Sequence, residues 1–278
     1  MKARSLRCIA KLVAWLMFIG CGLAQAAIPP SERAVLDAFY TQTNGASWTN
    51  STGWEGASGT ECTWYGITCT VAGDHVTGIS LTSNNLAGTL PVLTGLPSLQ
   101  NFIVYNNQLT GSIPTLTGLS SLQVFSAELN QLTGSIPALT GLSSLQNFTV
   151  YGNHLTGSIP SLTGLTNLAT FAVEGNQLTS GIPTLTGLSG LVDFNVYSNQ
   201  LTGSIPSLAG LTNLQAFQVS ANQFTGSVPS LTGLSSLQYF AVNSNQLTGS
   251  IPSLTGLSSL QQFYAYSNQL TGNIPALT

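Results

Sequence analysis

The sequence predicts a solenoid of the α/β class, mainly β: a right-handed superhelix of stacked coils behind a helical N-terminal cap. Three observations carry that prediction. Most of the 278 residues obey one 23-residue period with no insertion. Within each period, short segments alternate apolar and polar residues, as a half-buried strand does. Gly and Pro recur at fixed places in every period and turn the chain. A short fixed period of this kind marks units that cannot bury their apolar faces alone and must stack on their neighbours.

The elements follow in chain order. Lys2, Arg4, Arg7 and Lys11 form a basic start, Leu12 to Leu23 an apolar run, and Ala24-Gln25-Ala26 a small-x-small cleavage site, so residues 1–26 read as an export signal. The apolar run is shorter than the roughly 20 residues that a membrane span needs. Phe18-Ile19-Gly20-Cys21 offers an alternative, a lipobox that would leave Cys21 lipidated at the surface. Residues 27–75 read as an N-terminal cap. Ser31 to Tyr40 places Val35, Leu36 and Phe39 on one face of a helix. Cys62 and Cys69 are the even pair left after export, expected as a disulfide in an oxidising compartment. A metal site is the poorer reading, because His75 is nearby but nothing completes four ligands.

Residues 76–278 hold nine 23-residue repeats. Three columns define them: Asn84 to Asn268, Leu90-Pro91 to Ile274-Pro275, and Ile79 followed by Phe102 to Phe263. Leu96 to Gly118 shows the unit. Phe102 and Val104 point inward and Asn101, Ile103 and Tyr105 outward; farther on, Leu109 and Ile113 point inward and Thr110 and Ser112 outward. Each coil should therefore add one strand to a main parallel sheet and a shorter strand to a second sheet. The Asn column should form an interior ladder, its amide giving and accepting hydrogen bonds where the strand bends.

Charge narrows function. Only 5% of residues are charged, against roughly 25% in an average soluble domain. After Ala26 one Arg faces eight acidic residues, a net of -7. A nucleic-acid partner is excluded, since it requires clustered cations. Glu128 and Glu174 lie two coils apart, about 10 Å at the strand spacing, beyond the about 5 to 9.5 Å of a glycosidase pair. Tyr151 stands between them. No catalytic triad, metal site or cofactor site is expected, and the chain is read as non-enzymatic.

The unit, L-x-x-L-x-x-F-x-V-x-x-N-x-L-T-G-S-I-P-x-L-T-G, resembles the plant-type leucine-rich repeat, best known in polygalacturonase-inhibiting proteins and receptor ectodomains. Cys62-Thr63-Trp64-Tyr65-Gly66-Ile67-Thr68-Cys69 is similar to that family's N-terminal cap motif. The repeat is one residue shorter after the Pro, and Phe replaces one spine Leu. The combination of export signal and compact cap suggests a secreted bacterial member. The resemblance implies a protein or cell-wall glycan partner, met on the concave sheet.

The outward columns of that sheet vary while the inward ones repeat. Candidate partner-binding residues are Tyr105, Glu128, Tyr151, Glu174, Tyr197 and Tyr266 in one column, Asn195 and Tyr264 in the next, and Tyr239 in the third. The chain ends at Thr278 without the family's C-terminal cap, so edge-to-edge self-association of the last coil is expected. An ice-binding solenoid is the alternative. Thr110, Thr133, Thr156, Thr179, Thr202, Thr225, Thr248 and Thr271 form one outward row, and Ser112, Ser135, Ser158, Ser204, Ser227 and Ser250 another. Ser180-Gly181 and Asn273 break these rows.

Overall fold

The computed structural model describes residues 27–276. The export segment expected at 1–26, with Cys8 and Cys21, and the final Thr278 lie outside the described residues.

The cap opens with α1, Pro30–Gln42, whose Pro at the start fits a helix N-terminus, where the backbone N–H has no partner to lose. Leu36 and Phe39 are fully buried. Phe39 meets Trp48 edge-on at 5.9 Å and Trp54 at 6.2 Å, and Trp54 contacts Trp64 at 5.2 Å. Arg33 lies over the Trp64 ring at 4.7 Å and pairs with Glu61 and Asp37. Glu61 holds that cation and lifts its pKa further above the usual guanidinium value. Cys62 and Cys69 are bonded, their sulfurs 2.00 Å apart. Two buried carboxylates of the cap, Glu61 and Glu32, carry no signal in the sequence pattern. Glu32 accepts the Val76 backbone N–H at 2.7 Å and meets His75 Nδ1 at 2.6 Å, which ties α1 to the first coil.

From the cap the chain enters a mainly β solenoid with one N-terminal helix and two sheets. The large sheet has ten strands. Strand β1 (Ile67–Cys69) is antiparallel to β2 (Val76–Ser80). After β2 come β4 (Asn101–Ile103), β6 (Val124–Ser126), β7 (Asn147–Thr149), β8 (Thr170–Ala172), β9 (Asp193–Asn195), β10 (Ala216–Gln218), β11 (Tyr239–Ala241) and β12 (Gln262–Tyr264), all parallel. Register never slips, so Phe102 sits opposite Phe125, Phe125 opposite Phe148, and so on to Phe263. The constant register stacks the rings: consecutive Phe centroids lie 5.2 to 5.7 Å apart with planes inclined 14° to 20°. This offset stacking fills the space between coils and favours one ring orientation throughout.

The Asn column forms the expected ladder. Asn153 Nδ2 donates to Val150 O in its own coil at 2.9 Å and to Ala127 O in the preceding coil at 3.1 Å. Its Oδ1 accepts the Leu132 backbone N–H at 2.9 Å. Asn130, Asn176, Asn222 and Asn245 repeat the pattern. The bend of each coil is thereby satisfied from within, where water cannot reach.

The second sheet is smaller than the sequence reading expects. Among the described residues only β3 (Ala87–Thr89) and β5 (Gln108–Thr110) pair as strands of this sheet. Beyond them, single parallel bridges link Ser112 to Thr133, Ser135 to Thr156, Ser158 to Thr179, Ser204 to Thr225, and Ser227 to Thr248. Two features of the repeat limit pairing to one residue per coil. Gly111 and its equivalents adopt positive φ, +71° at Gly111, which interrupts the extended run. The Pro two residues after each Ser brings no N–H to the ladder. Ser180 takes the Gly position at φ +68°, with Gly181 where Ser stands elsewhere. Among the described residues no bridge forms from Gly181 to Thr202.

Candidate functional site

Three parallel rows of side chains cover the outer surface of the large sheet, two residues apart along each strand. Opposite the stacked Phe column, every second residue faces outward, so a coil contributes one side chain to each row. Register places Asp193, Ala216, Tyr239 and Gln262 in one row, Asn195, Gln218, Ala241 and Tyr264 in the next. The third row, two residues farther on, runs Tyr197, Ser220, Asn243 and Tyr266.

Of the nine candidate binding residues, Tyr266 (63%), Tyr197 (43%), Tyr105 and Tyr264 are exposed, while Tyr151, Glu174 and Tyr239 are half-buried. Two expectations need correction. Glu128 retains 9% of its surface and Asn195 8%. Neither is the free outward group that its column suggested. Ser126 Oγ donates to both Glu128 oxygens at 2.9 and 3.0 Å, and Thr149 Oγ1 donates to Oε2 at 2.8 Å. The carboxylate is thus bound laterally by its neighbours, and Asn195 Oδ1 accepts the Tyr197 N–H at 3.3 Å. Row neighbours about 4.8 Å apart cover one another on a sheet whose strands are this close.

The middle of the face is acidic and poorly solvated. Glu174 Oε2 and Asp193 Oδ1 are buried without a hydrogen-bond partner. Burial, with a smaller push from the Asp193 and Glu128 charges, lifts the Glu174 carboxyl to about 7. Burial also raises Asp193. Tyr151 lies between the two glutamates, and burial together with their charges raises its phenol. These shifts follow from crowding on the sheet, since each ionised form loses water without gaining a cation.

Toward the last strands the face opens into a cleft of about 560 Å³. Its walls are Tyr197 on one side and Tyr239, Tyr264 and Tyr266 on the other; Gln218, Ser220, Ala241 and Asn243 line the rest. Tyr239 and Tyr264 have centroids 5.6 Å apart at 57°, and Tyr264 meets Tyr266 edge-on at 6.4 Å. Ser220 Oγ donates to Asn243 Oδ1 at 2.7 Å. All four tyrosines are among the nine candidates; Gln218, Ser220, Ala241 and Asn243 stand in the same outward columns of the sequence but not among those candidates. Their signal was available: small or short side chains between two tyrosines of one face leave a hollow.

The Thr and Ser rows of the second sheet are exposed at Thr110, Thr133, Thr156, Thr179, Ser112, Ser135 and Ser158. His154 is an exposed neighbour of that region. A separate apolar hollow of about 430 Å³ lies at the last described coil, lined by Ile251, Leu254, Phe263, Ala265, Tyr266, Leu270 and Ile274. Among the described residues no helix is long and apolar enough to cross a membrane.

No family model matches the chain, and no curated protein matches it. Solved structures do match. The LRR ectodomain of the plant membrane receptor kinase GASSHO1/SCHENGEN3 from Arabidopsis thaliana, in complex with CASPARIAN STRIP INTEGRITY FACTOR 2, superposes with a TM-score of 0.74 and 31% identity. That match covers 88% of this chain and 33% of the receptor chain. The plant peptide hormone receptor RGFR1 in complex with RGF2 matches with a TM-score of 0.66 and 35% identity, over 73% of this chain and 32% of the receptor. The chain therefore spans about a third of the length of these two receptor structures. A plant ice-binding protein matches over 90% of both chains with a TM-score of 0.63 and 21% identity, a likeness of fold. The unbroken period, the Asn ladder and these neighbours together make the chain a solenoid of the leucine-rich-repeat type.

Proposed function

We propose that this chain is a secreted, non-catalytic recognition protein whose concave sheet binds a ligand. The observation that carries the reading is the contrast between the two sides of each strand. Inward positions repeat Phe and Val or Ala in coil after coil, whereas outward positions change chemistry along the solenoid and expose Tyr105, Tyr197, Tyr264 and Tyr266. Tyrosine supplies a large rigid contact with a polar tip, a side chain enriched where interfaces concentrate their binding energy. Both receptors at 31% and 35% identity are described in complex with a partner, which supports recognition as the role. Glu128 and Asn195 stand within the face, enclosed laterally by their neighbours, and Tyr151, Glu174 and Tyr239 contribute their exposed edges. The face carries no Lys or Arg, and burial pushes its Glu174 and Asp193 carboxyls toward the neutral form, so affinity should change little with ionic strength. Replacing Tyr105, Tyr197 and Tyr264 with Ala together should abolish ligand binding without altering the melting temperature; retained affinity would remove the concave face as the site.

A second reading has its own observation. The Thr and Ser rows beyond the small sheet are bridged in one register on either side of a break at Gly181, on a surface without Lys, Arg, Asp or Glu, an arrangement that could order water into an ice-like layer. Thermal hysteresis of the chain, lost in Thr133→Tyr and Thr156→Tyr, would establish it; no hysteresis would remove it.

A further inference from the structure

The cleft at the end of the concave face differs from the rest of that face in three ways. It is the aromatic part, with four tyrosines around one hollow. Its lining carries no carboxylate and no cation; Glu174 and Asp193 stop at its Tyr197 edge, one on the adjacent coil and the other on the same coil as Tyr197, both belonging to the acidic middle of the face. Its other polar groups, Gln218 and Asn243 among them, are amides and a hydroxyl, each able to donate and accept at once.

These features select a ligand class. A peptide that carries acidic side chains or a terminal carboxylate would leave those charges without a partner in this cleft, at a desolvation cost. Acidic glycans and nucleic acids would meet a cleft without a cation beside a chain that is acidic overall. A neutral sugar chain has what the cleft lacks and lacks what the cleft would reject. Its C–H faces can lie flat on tyrosine rings, and its hydroxyls, each both donor and acceptor, match amide side chains. Size agrees, since about 560 Å³ falls within the about 300 to 1,000 Å³ of small-ligand sites. Three strand spacings of about 4.8 Å place Tyr197 and Tyr266 roughly 14 Å apart along their row, so the two walls can grip successive sugar units. Tyr239, Tyr264 and Tyr266 already pack against one another, and Tyr264 Oη bonds Gln262 Oε1 at 3.3 Å. The platform is thus ordered in advance, which lowers the entropy lost on binding.

We infer that the cleft between Tyr197 and Tyr266 is a binding site for a neutral oligosaccharide, stacked on the tyrosines and hydrogen-bonded by Gln218 and Asn243. This rests on the reading of the concave sheet as the binding face, and it names the ligand class of that face.

The test is calorimetric titration of the full chain with pentasaccharides of neutral β-glucan, α-glucan, mannan, xylan and N-acetylglucosamine, alongside an oligogalacturonide and an uncharged synthetic peptide. At least one neutral pentasaccharide should bind. Tyr264→Ala should weaken it about tenfold, the size of one aromatic contact, whereas Tyr264→Phe, which keeps the ring, and His154→Ala, exposed and outside the concave face, should bind as the parent does. Unaltered thermal unfolding of Tyr264→Ala would show that the loss is local. Failure of every neutral sugar to bind, preference for the oligogalacturonide, or indifference to Tyr264→Ala overturns the inference. Binding of the peptide alone, lost in Tyr105→Ala and Tyr197→Ala, would overturn it while leaving the concave face as a recognition surface.

Discussion

Replacing Asn153 with Leu isolates what the interior ladder contributes, because Leu keeps the branched heavy-atom shape and removes the amide. The structure gives the cost group by group. The Leu132 backbone N–H has Asn153 Oδ1 as its partner and is buried. Losing it orphans a donor, at about 1–3 kcal/mol. The carbonyls are better insured, and Tyr151 O, a longer 3.3 Å contact, also accepts the Leu129 N–H. Ala127 O also accepts from Asn130, and Val150 O also accepts from Asn176, both at 3.1 Å. Each therefore keeps a partner, and its second bond is worth about 0.5–1 kcal/mol. The expected loss is about 2–5 kcal/mol in all. Urea unfolding followed by far-UV circular dichroism should show this as a lower midpoint. Native-state hydrogen exchange should show the Leu132 amide exchanging much faster, with protection of the Phe148 strand reduced less. A loss below about 0.5 kcal/mol, or a Leu132 amide as protected as before, would refute the claim that the ladder satisfies buried backbone.

The remaining predictions concern charge, backbone strain and the cap. Glu174 titrates near 7 in the folded chain against 4.5 for an ordinary Glu. The folded state therefore holds a proton that the unfolded chain gives up between those values, so this group's contribution to stability is greatest below about pH 4.5 and falls as pH rises to about 7. Partial exposure reduces the effect to about 1–2 kcal/mol; Glu174→Gln should flatten that part of the pH–melting curve, and an unchanged slope would contradict the burial argument. Ser180→Gly relieves a side chain held at φ +68° and should stabilise by about 1 kcal/mol in urea unfolding. Adding Gly181→Ser should restore the Ser row at little cost, since a Cβ there meets Thr202 O at an ordinary 3.6 Å. Cys62→Ser with Cys69→Ser opens a loop of sequence separation 7 and should cost the cap about 2–3 kcal/mol, visible in tryptophan fluorescence because Trp64 lies inside that loop.

Strict period made the interior legible. A Phe every 23 residues can only stack if every coil has the same length, and the register bears this out from β4 to β12. The Asn column was readable for the same reason, since one bend chemistry is repeated in each coil. The outer face was only partly legible. Alternation says which way a side chain leaves the strand, but not what its neighbours in the next coils do to it. Glu128 points outward and is still enclosed, because Ser126 and Thr149 happen to flank it. Tyr266 points outward and stays open. The cleft arises from the same lateral effect in reverse, where Ala241 and Ser220 fail to fill the space between tall neighbours. Glu32 was missed because its partners, His75 and Val76, are more than forty positions away in sequence.

The claim that the variable outer rows of the large sheet are the working surface is tested most directly by hydroxyl-radical footprinting of the full chain, with and without the neutral pentasaccharides at saturating concentration. Protection should concentrate on Tyr197, Tyr239, Tyr264 and Tyr266, with the Thr156 row labelled equally in both states. Protection of the Thr row instead, or no change anywhere on the concave sheet, would contradict the account.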